Sequence, residues 1–171
     1  PLPLWLDPTE PTGLAPAVHM WPLPCQETVH VLKAWQDDDP RIVVGTYEGG
    51  LELWRVHGDE LCCDASMLGA HAAAIPAVGV PRDAYTREHS PREFVTGGSD
   101  SKLRVWSCDP LRVVQTVDLE GAFPLDVALV SLPQTDAMVM AVAATDRRIS
   151  LYVRGGGSGA YVRCLLYTSP S

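Results

Sequence analysis

The chain has 171 residues, 46% of them apolar, and a formal net charge of −8 at pH 7. That is enough for one domain with a packed core, and the acidity argues against direct clamping of phosphates, which calls for a basic stripe. No apolar run approaches the roughly 18–20 residues of a membrane-spanning helix, and no basic segment followed by an apolar stretch marks a secretory signal. The five cysteines, Cys25, Cys62, Cys63, Cys108 and Cys164, are odd in number and lack C-x-x-C spacing. Reduced thiols in an intracellular protein are expected, with no disulfide framework and no zinc site. A chain that starts at Pro1 is expected to be a segment of a longer one.

Residues 1–26 hold seven of the fifteen prolines. Proline cannot donate to a ladder, so this lead-in, with Trp5 and Trp21, is expected to be irregular. Glu27 to Trp35 is a candidate strand, closed by the acidic turn Asp37-Asp-Asp-Pro40. No further oxygen ligands stand near those acids, so a solvated turn is expected and not a cation site. Arg41 to Thr46 and Leu51 to Val56 form a hairpin through Tyr47-Glu-Gly-Gly50, whose glycines supply positive φ. After the turn His57-Gly-Asp-Glu60, Leu61 to Leu68 is a fourth strand, in which Cys62 and Cys63 are read as small structural side chains.

A second unit follows. Ile75 to Val80 is its first strand, residues 81–92 an inserted loop, and Glu93 to Gly97 and Leu103 to Trp106 its hairpin. Leu111 to Leu119 completes it after Cys108-Asp-Pro110. A third unit has strands Leu125 to Val130, Met138 to Ala143, Ile149 to Val153 and Tyr161 to Leu166. The loop Gly155-Gly-Gly-Ser-Gly159 lacks the Lys-Ser/Thr and helix of a phosphate-binding loop, and Ala160-Tyr-Val162 after it reads as strand.

The three hairpins align without a gap on Trp54, Trp106 and Tyr152. Twelve residues before that aromatic stand Ile42, Phe94 and Met140. Nine before it stand the small residues Gly45, Gly97 and Ala143, and six before it the turn acids Glu48, Asp100 and Asp146. Four strands per unit at roughly 40–45 residues mark a WD40-type β-propeller blade. The expected fold is all-β, a partial propeller of about three four-stranded antiparallel blades. The boundaries are 1–26 for the lead-in, 27–68, 69–119 with the 81–92 insertion, 120–166, and an atypical tail at 167–171. Three blades cannot close, so they belong to a larger ring. The aromatics are expected on equivalent innermost-but-one strands.

In the second unit His71, Thr96, Asp100 and Trp106 have the order of the hydrogen-bonded polar relay of WD40 blades. Such a relay satisfies polar groups that cost about 1–3 kcal/mol each when buried alone. A catalytic reading fails because Thr96 lies inside a strand with no nucleophile elbow. His19, His30, His57 and His89 have no metal-ligand spacing. No catalytic residue, metal site or cofactor site is expected.

The stretch Val114 to Leu119, then Gly121 to Asp136 with Ser131-Leu-Pro-Gln-Thr-Asp136, then Asp146-Arg-Arg-Ile-Ser-Leu-Tyr152 resembles the third blade of the Elongator complex protein 2 family. Phe94 to Trp106 is similar to that family's second hairpin, and Leu51 to Val80 to the blade before it, so the resemblance covers about residues 40–166. Two departures stand out. Ala70 separates Gly69 from His71 where the family has Gly-His, and Tyr167-Thr-Ser-Pro-Ser171 replaces the expected continuation and is read as foreign or truncated sequence. The resemblance implies a non-catalytic scaffold subunit of cytoplasm and nucleus that docks the largest subunit and the catalytic radical-SAM subunit. It would meet tRNA only indirectly, in wobble uridine modification, and the iron–sulfur cluster and acetyl-CoA would belong to the catalytic subunit. The rival readings are another WD40 adaptor, such as a ubiquitin-ligase substrate receptor or signalling scaffold, and a propeller enzyme.

Overall fold

The structure, a computed structural model, describes residues 25, 27–35, 40–58, 60–81, 93–132, 135, 137–155 and 159–168. The first 24 residues of the lead-in, the acids Asp37 to Asp39, the inserted loop beyond Pro81, the middle of the glycine-rich loop, and His19 and His89 lie outside the described residues.

Among the described residues twelve strands form three sheets. The first holds β1 (Val29–Trp35), β2 (Arg41–Thr46), β3 (Leu51–His57) and β4 (Glu60–Met67). The second holds β5 (Ala77–Gly79), β6 (Glu93–Gly98), β7 (Lys102–Cys108) and β8 (Leu111–Asp118). The third holds β9 (Pro124–Ser131), β10 (Met138–Ala144), β11 (Arg148–Arg154) and β12 (Val162–Thr168). Each is an antiparallel meander in chain order. β5 is shorter than its sequence suggests: the Ile75 amide bonds the Thr46 carbonyl at 3.0 Å, outside the ladder, and Pro76 has no N–H to donate. β12 runs on to Thr168, pairing Tyr167 with Ile149.

The repeat seen in the sequence is a repeat of register. Ile42 pairs with Trp54, Phe94 with Trp106 and Met140 with Tyr152. On the other side of each aromatic the ladder slips by one residue, between Leu53 and Trp54, Val105 and Trp106, and Leu151 and Tyr152. Each fourth strand therefore carries a bulge in the same place, with Asp64, Val114 or Cys164 as the extra residue.

The hairpin turns repeat as well. Five residues before the aromatic the backbone is left-handed in every blade: Gly49 at φ 89°, Ser101 at 62° and Arg147 at 63°. In all three the amide of that residue hydrogen-bonds the carbonyl three residues back. An L side chain in this region costs about 1–2 kcal/mol, and glycine returns part of that gain as chain entropy. Arg147→Gly is expected to raise stability by about 0.5–1 kcal/mol, seen as a higher urea midpoint at an unchanged slope.

Strand alternation sends side chains to both faces of each sheet. Val43, Leu51 and Leu53 of the first sheet meet Ile75, Val78, Phe94 and Trp106 of the second. On the second sheet's other face, Val95, Leu103 and Val105 meet Val127, Leu129, Met140 and Tyr152 of the third. Glycine is needed nine residues before the aromatic because the next blade nests there. A Cβ on Gly45 would stand 2.7 Å from Ile75 Cγ2, and one on Gly97 2.6 Å from Pro124 Cγ.

The first strands of successive sheets approach one another, with Pro81, just after β5, bridging in parallel to Leu129 of β9. They form the inner edge of the fan. The aromatic-bearing strands β3, β7 and β11 are third in order from that edge. This corrects the sequence expectation: they are next to the outer rim, because two strands, not one, separate them from the axis.

Candidate functional site

The second blade contains the densest polar cluster. Its members come from four local structures: the loop before β5 brings His71, β6 brings Thr96, the turn between β6 and β7 brings Asp100, and β7 brings Trp106. The indole Nε1 of Trp106 donates to Thr96 Oγ1 at 2.7 Å. Thr96 Oγ1 lies 2.7 Å from His71 Nε2, and His71 Nδ1 lies 2.8 Å from Asp100 Oδ1. A continuous chain of donors from Trp106 to Asp100 requires a neutral His71 with its proton on Nδ1. Asp100 Oδ2 also accepts from the Ala72 amide at 3.1 Å and from Arg104 Nη1 at 2.8 Å. Arg104 Nη1 crowds the same histidine nitrogen at 2.5 Å.

Local backbone choices make room for this. Gly69 is left-handed at φ 64°, and Ala70, the residue inserted before His71, is buried in the core between the first two sheets. The His71 amide is held by the Gly49 carbonyl at 2.9 Å. A Cβ on Gly98 would collide with both His71 and Asp100, so the relay requires glycine there.

His71 is 1% exposed and Thr96 0%. Burial lowers the pKa of His71 below its ordinary value, against the raising influence of Asp100. Burial pushes Asp100 up, but hydrogen bonds from Arg104, His71 and the Ala72 amide outweigh it and hold the carboxyl well below the usual carboxylate range. Both shifts make acid destabilising. Below about pH 6.5 an unfolded His71 takes a proton that the folded one refuses, and below about pH 4 the same holds for Asp100. Stability should be level above about pH 7 and fall in two steps on acidification. Thermal melts across pH 3–8 check this, with the upper step missing in His71→Gln.

Among the described residues the flanking blades have no such relay. The position of Thr96 is Val44 in the first and Val142 in the third. There the aromatic turns to the side chain two residues before it. Trp54 Nε1 donates to Glu52 Oε2 at 2.9 Å, and Tyr152 hydrogen-bonds Ser150. The turn acids also diverge. Glu48 accepts from the Thr28 amide at 3.2 Å, and Asp146 from the Arg148 amide at 3.1 Å, both on the exposed surface. Arg104 and Glu52 were not singled out by sequence. They share one repeat position, but with opposite charges there, no pattern marks it.

Polar side chains also cross the seams between blades. Arg41, at the start of β2, meets Asp109 after β7 at 3.3 Å. Glu93, at the equivalent start of β6, pairs with Arg154 at the end of β11. Arg154 lies 4.9 Å over the Tyr161 ring. The Gln115 carboxamide mimics a peptide unit: its Nε2 donates to the Tyr161 carbonyl at 3.0 Å, and its Oε1 accepts the Tyr161 amide at 2.7 Å. Gln115→Ala is expected to cost about 1–2 kcal/mol, two part-buried hydrogen bonds, and to speed amide exchange at Tyr161.

The cysteines differ from expectation. Cys62 and Cys63 are exposed on β4, not packed, because β4 is an outer strand with little covering it. Cys63 is nonetheless shifted up by partial burial and by Glu52. Burial pushes Cys108 up to about 12. Cys25 is also pushed up to about 12, by burial and by its hydrogen bond to Glu52 at 2.9 Å. Cys25, Cys63 and Cys108 are thus shifted away from the depressed pKa of a nucleophile.

A cleft of about 280 Å³ on the inner strands is lined by Lys33, Val78, Val80, Asp126, Ala128 and Leu129. Another, of about 440 Å³, is lined by Glu93, Ser107, Asp109 and Arg112. Neither includes His71 or Asp100, whose polar atoms are turned to one another inside the blade. Among the described residues no three His, Cys, Asp or Glu side chains gather as a cation site.

Solved structures with this arrangement of sheets are WD40 propellers. The chain superposes on the β-propeller domain of Cps50 (Swd1) from Myceliophteria thermophila with a TM-score of 0.62 and 15% identity. That match covers 86% of this chain and 39% of the other. The WD40 repeats of RRP9 give a TM-score of 0.63 at 13% identity, over 85% of this chain and 40% of theirs. The fold is that of three blades of a WD40 propeller. No family model matches the sequence. Among curated proteins it is 28% identical over 131 residues to Elongator complex protein 2 of Danio rerio. The match takes in 75% of this chain and 15% of that protein, so the chain spans a small part of the relative's length.

Proposed function

We propose that this chain is part of a non-catalytic WD40 scaffold, the second subunit of the Elongator complex. The observation that carries the reading is the 28% identity to Elongator complex protein 2 along three-quarters of the chain. It agrees with the Ser131 to Asp136 segment and the Asp146 to Tyr152 hairpin, on which the sequence resemblance rests. In this role the blades dock the largest subunit and the catalytic radical-SAM subunit, and support 5-carboxymethyl-type modification of tRNA wobble uridines in cytoplasm and nucleus. A scaffold suits the chemistry. The buried polar groups of the second blade hydrogen-bond one another, which stiffens the sheet and leaves none of them to a substrate.

The test is affinity capture of the protein from its own cells, followed by mass spectrometry, with wobble uridine modification measured after depletion. Recovery of the largest and radical-SAM subunits, with loss of the modification, is the expected result. Recovery of cullin adaptors, with the modification intact, would replace this reading by a ubiquitin-ligase adaptor.

A further inference from the structure

We propose that Ser150 is a phosphorylation site for an arginine-directed protein kinase, open to the enzyme while the third blade is unformed and shut off once its sheet has closed. The turn between β10 and β11 leads into Arg147-Arg148-Ile149-Ser150-Leu151. Two arginines stand three and two residues before a hydroxyl, and an apolar residue follows it. Guanidinium forks at that spacing suit a kinase whose substrate groove is lined by carboxylates. Among the described residues Ser107 is the other serine with an arginine three places before it. That arginine, Arg104, is held by Asp100 in the second blade. In the third blade Arg147 and Arg148 are exposed, whereas Ser150 is 7% exposed. β11 is paired on both sides, with Ser150 opposite Val142 of β10 and Leu166 of β12. The folded sheet therefore displays the recognition charges and withholds the hydroxyl, and a kinase reaches it only when β11 is unpaired.

In the open chain Ser150 Oγ bonds to the γ-phosphorus of ATP, the bond from that phosphorus to the β–γ bridging oxygen breaks, ADP leaves, and the hydroxyl proton passes to the kinase's base. The fold has a place for the product. Two residues before the aromatic, the first blade already carries an anion, Glu52, which accepts from Trp54 Nε1 at 2.9 Å. Ser150 holds that position in the third blade, where Tyr152 is the aromatic and Arg163 Nη2 donates to Ser150 Oγ at 3.4 Å. Strand alternation puts Arg148 on the same face. A phosphate on Ser150 would meet these two guanidinium groups. Two acids oppose it: Asp146 lies 3.8 Å from Arg148, and Glu120 and Asp146 both carry charge near Tyr152. The arginines offset that repulsion, so the phosphorylated blade still closes but gains no stability.

The test uses the whole chain, ATP and a purified arginine-directed kinase, with phosphate at Ser150 counted by mass spectrometry. The folded parent should be modified at least about tenfold more slowly than Leu129→Asp, whose buried charge opens the third blade without touching the kinase motif. Replacing Arg147 and Arg148 together by alanine in that variant should slow the reaction about tenfold or more. In cell-free synthesis, kinase present from the start should label Ser150, and kinase added after folding should not. Ser150→Glu, which copies Glu52, should melt within about 4 °C of the parent. Equal rates for the parent and Leu129→Asp overturn the proposal, as does an opened chain left unmodified at Ser150. So does an unchanged rate without the two arginines, an equal label in the two orders of synthesis, or a Ser150→Glu chain that does not fold.

Discussion

Asp100→Ala is expected to cost about 3 kcal/mol or more, because it removes one partner of a nearly buried set of charges and leaves the others in place. The Asp100 side chain is 10% exposed and accepts from His71, Arg104 and the Ala72 amide. Without it, Arg104 keeps its charge in a part-buried site and the Nδ1–H of His71 loses its acceptor. Asp100→Asn keeps one acceptor oxygen and should cost about half as much. The two acid-induced steps described above should merge into one in either variant, since the carboxylate no longer titrates. Urea unfolding followed by tryptophan fluorescence measures the cost, and equal stability of Asp100→Ala and the parent would show that the cluster contributes nothing.

Trp106→Ala should be at least as damaging, at about 3–5 kcal/mol. Trp106 is fully buried between the first two sheets, stacked 6.3 Å from Phe94, and its indole nitrogen holds Thr96. The cavity term and the lost hydrogen bond both fall on one seam. Trp106→Phe retains most of the apolar area and gives up the donor, so about 1–2 kcal/mol is expected. Denaturant midpoints for the two variants separate the packing contribution from the polar one.

The parts of this fold legible in the sequence are those set by constraints that recur. The hairpin register could be read from Trp54, Trp106 and Tyr152 because every blade needs a large side chain at that level, with a small one nine residues earlier. The contacts between blades were not legible. Arg41 with Asp109 and Glu93 with Arg154 are joined over 68 and 61 residues, and the signs are reversed between them. Gln115 reaches Tyr161 in the same way, with no local signal. Within the polar cluster, the four residues placed by motif order do stand together. Arg104 did not show, because its position is filled by Glu52 and Ser150 in the other blades. Cys62 and Cys63 were misjudged because composition reports that a cysteine is apolar, not whether its strand is central or on the rim.

The displaced residue in each fourth strand bears on how the molecule behaves in crowded solution. β4, β8 and β12 are the last strands of their sheets, so their outward-facing amides and carbonyls form the outer margin of the fan. Asp64, Val114 and Cys164 interrupt that margin at one common height, and Asp64 is tied back to Arg55 at 2.7 Å. A stray extended peptide could therefore add to any of these margins for only a few residues before losing step. The same irregularity that lets each blade bend past its aromatic side chain thus also guards it against fibrous growth.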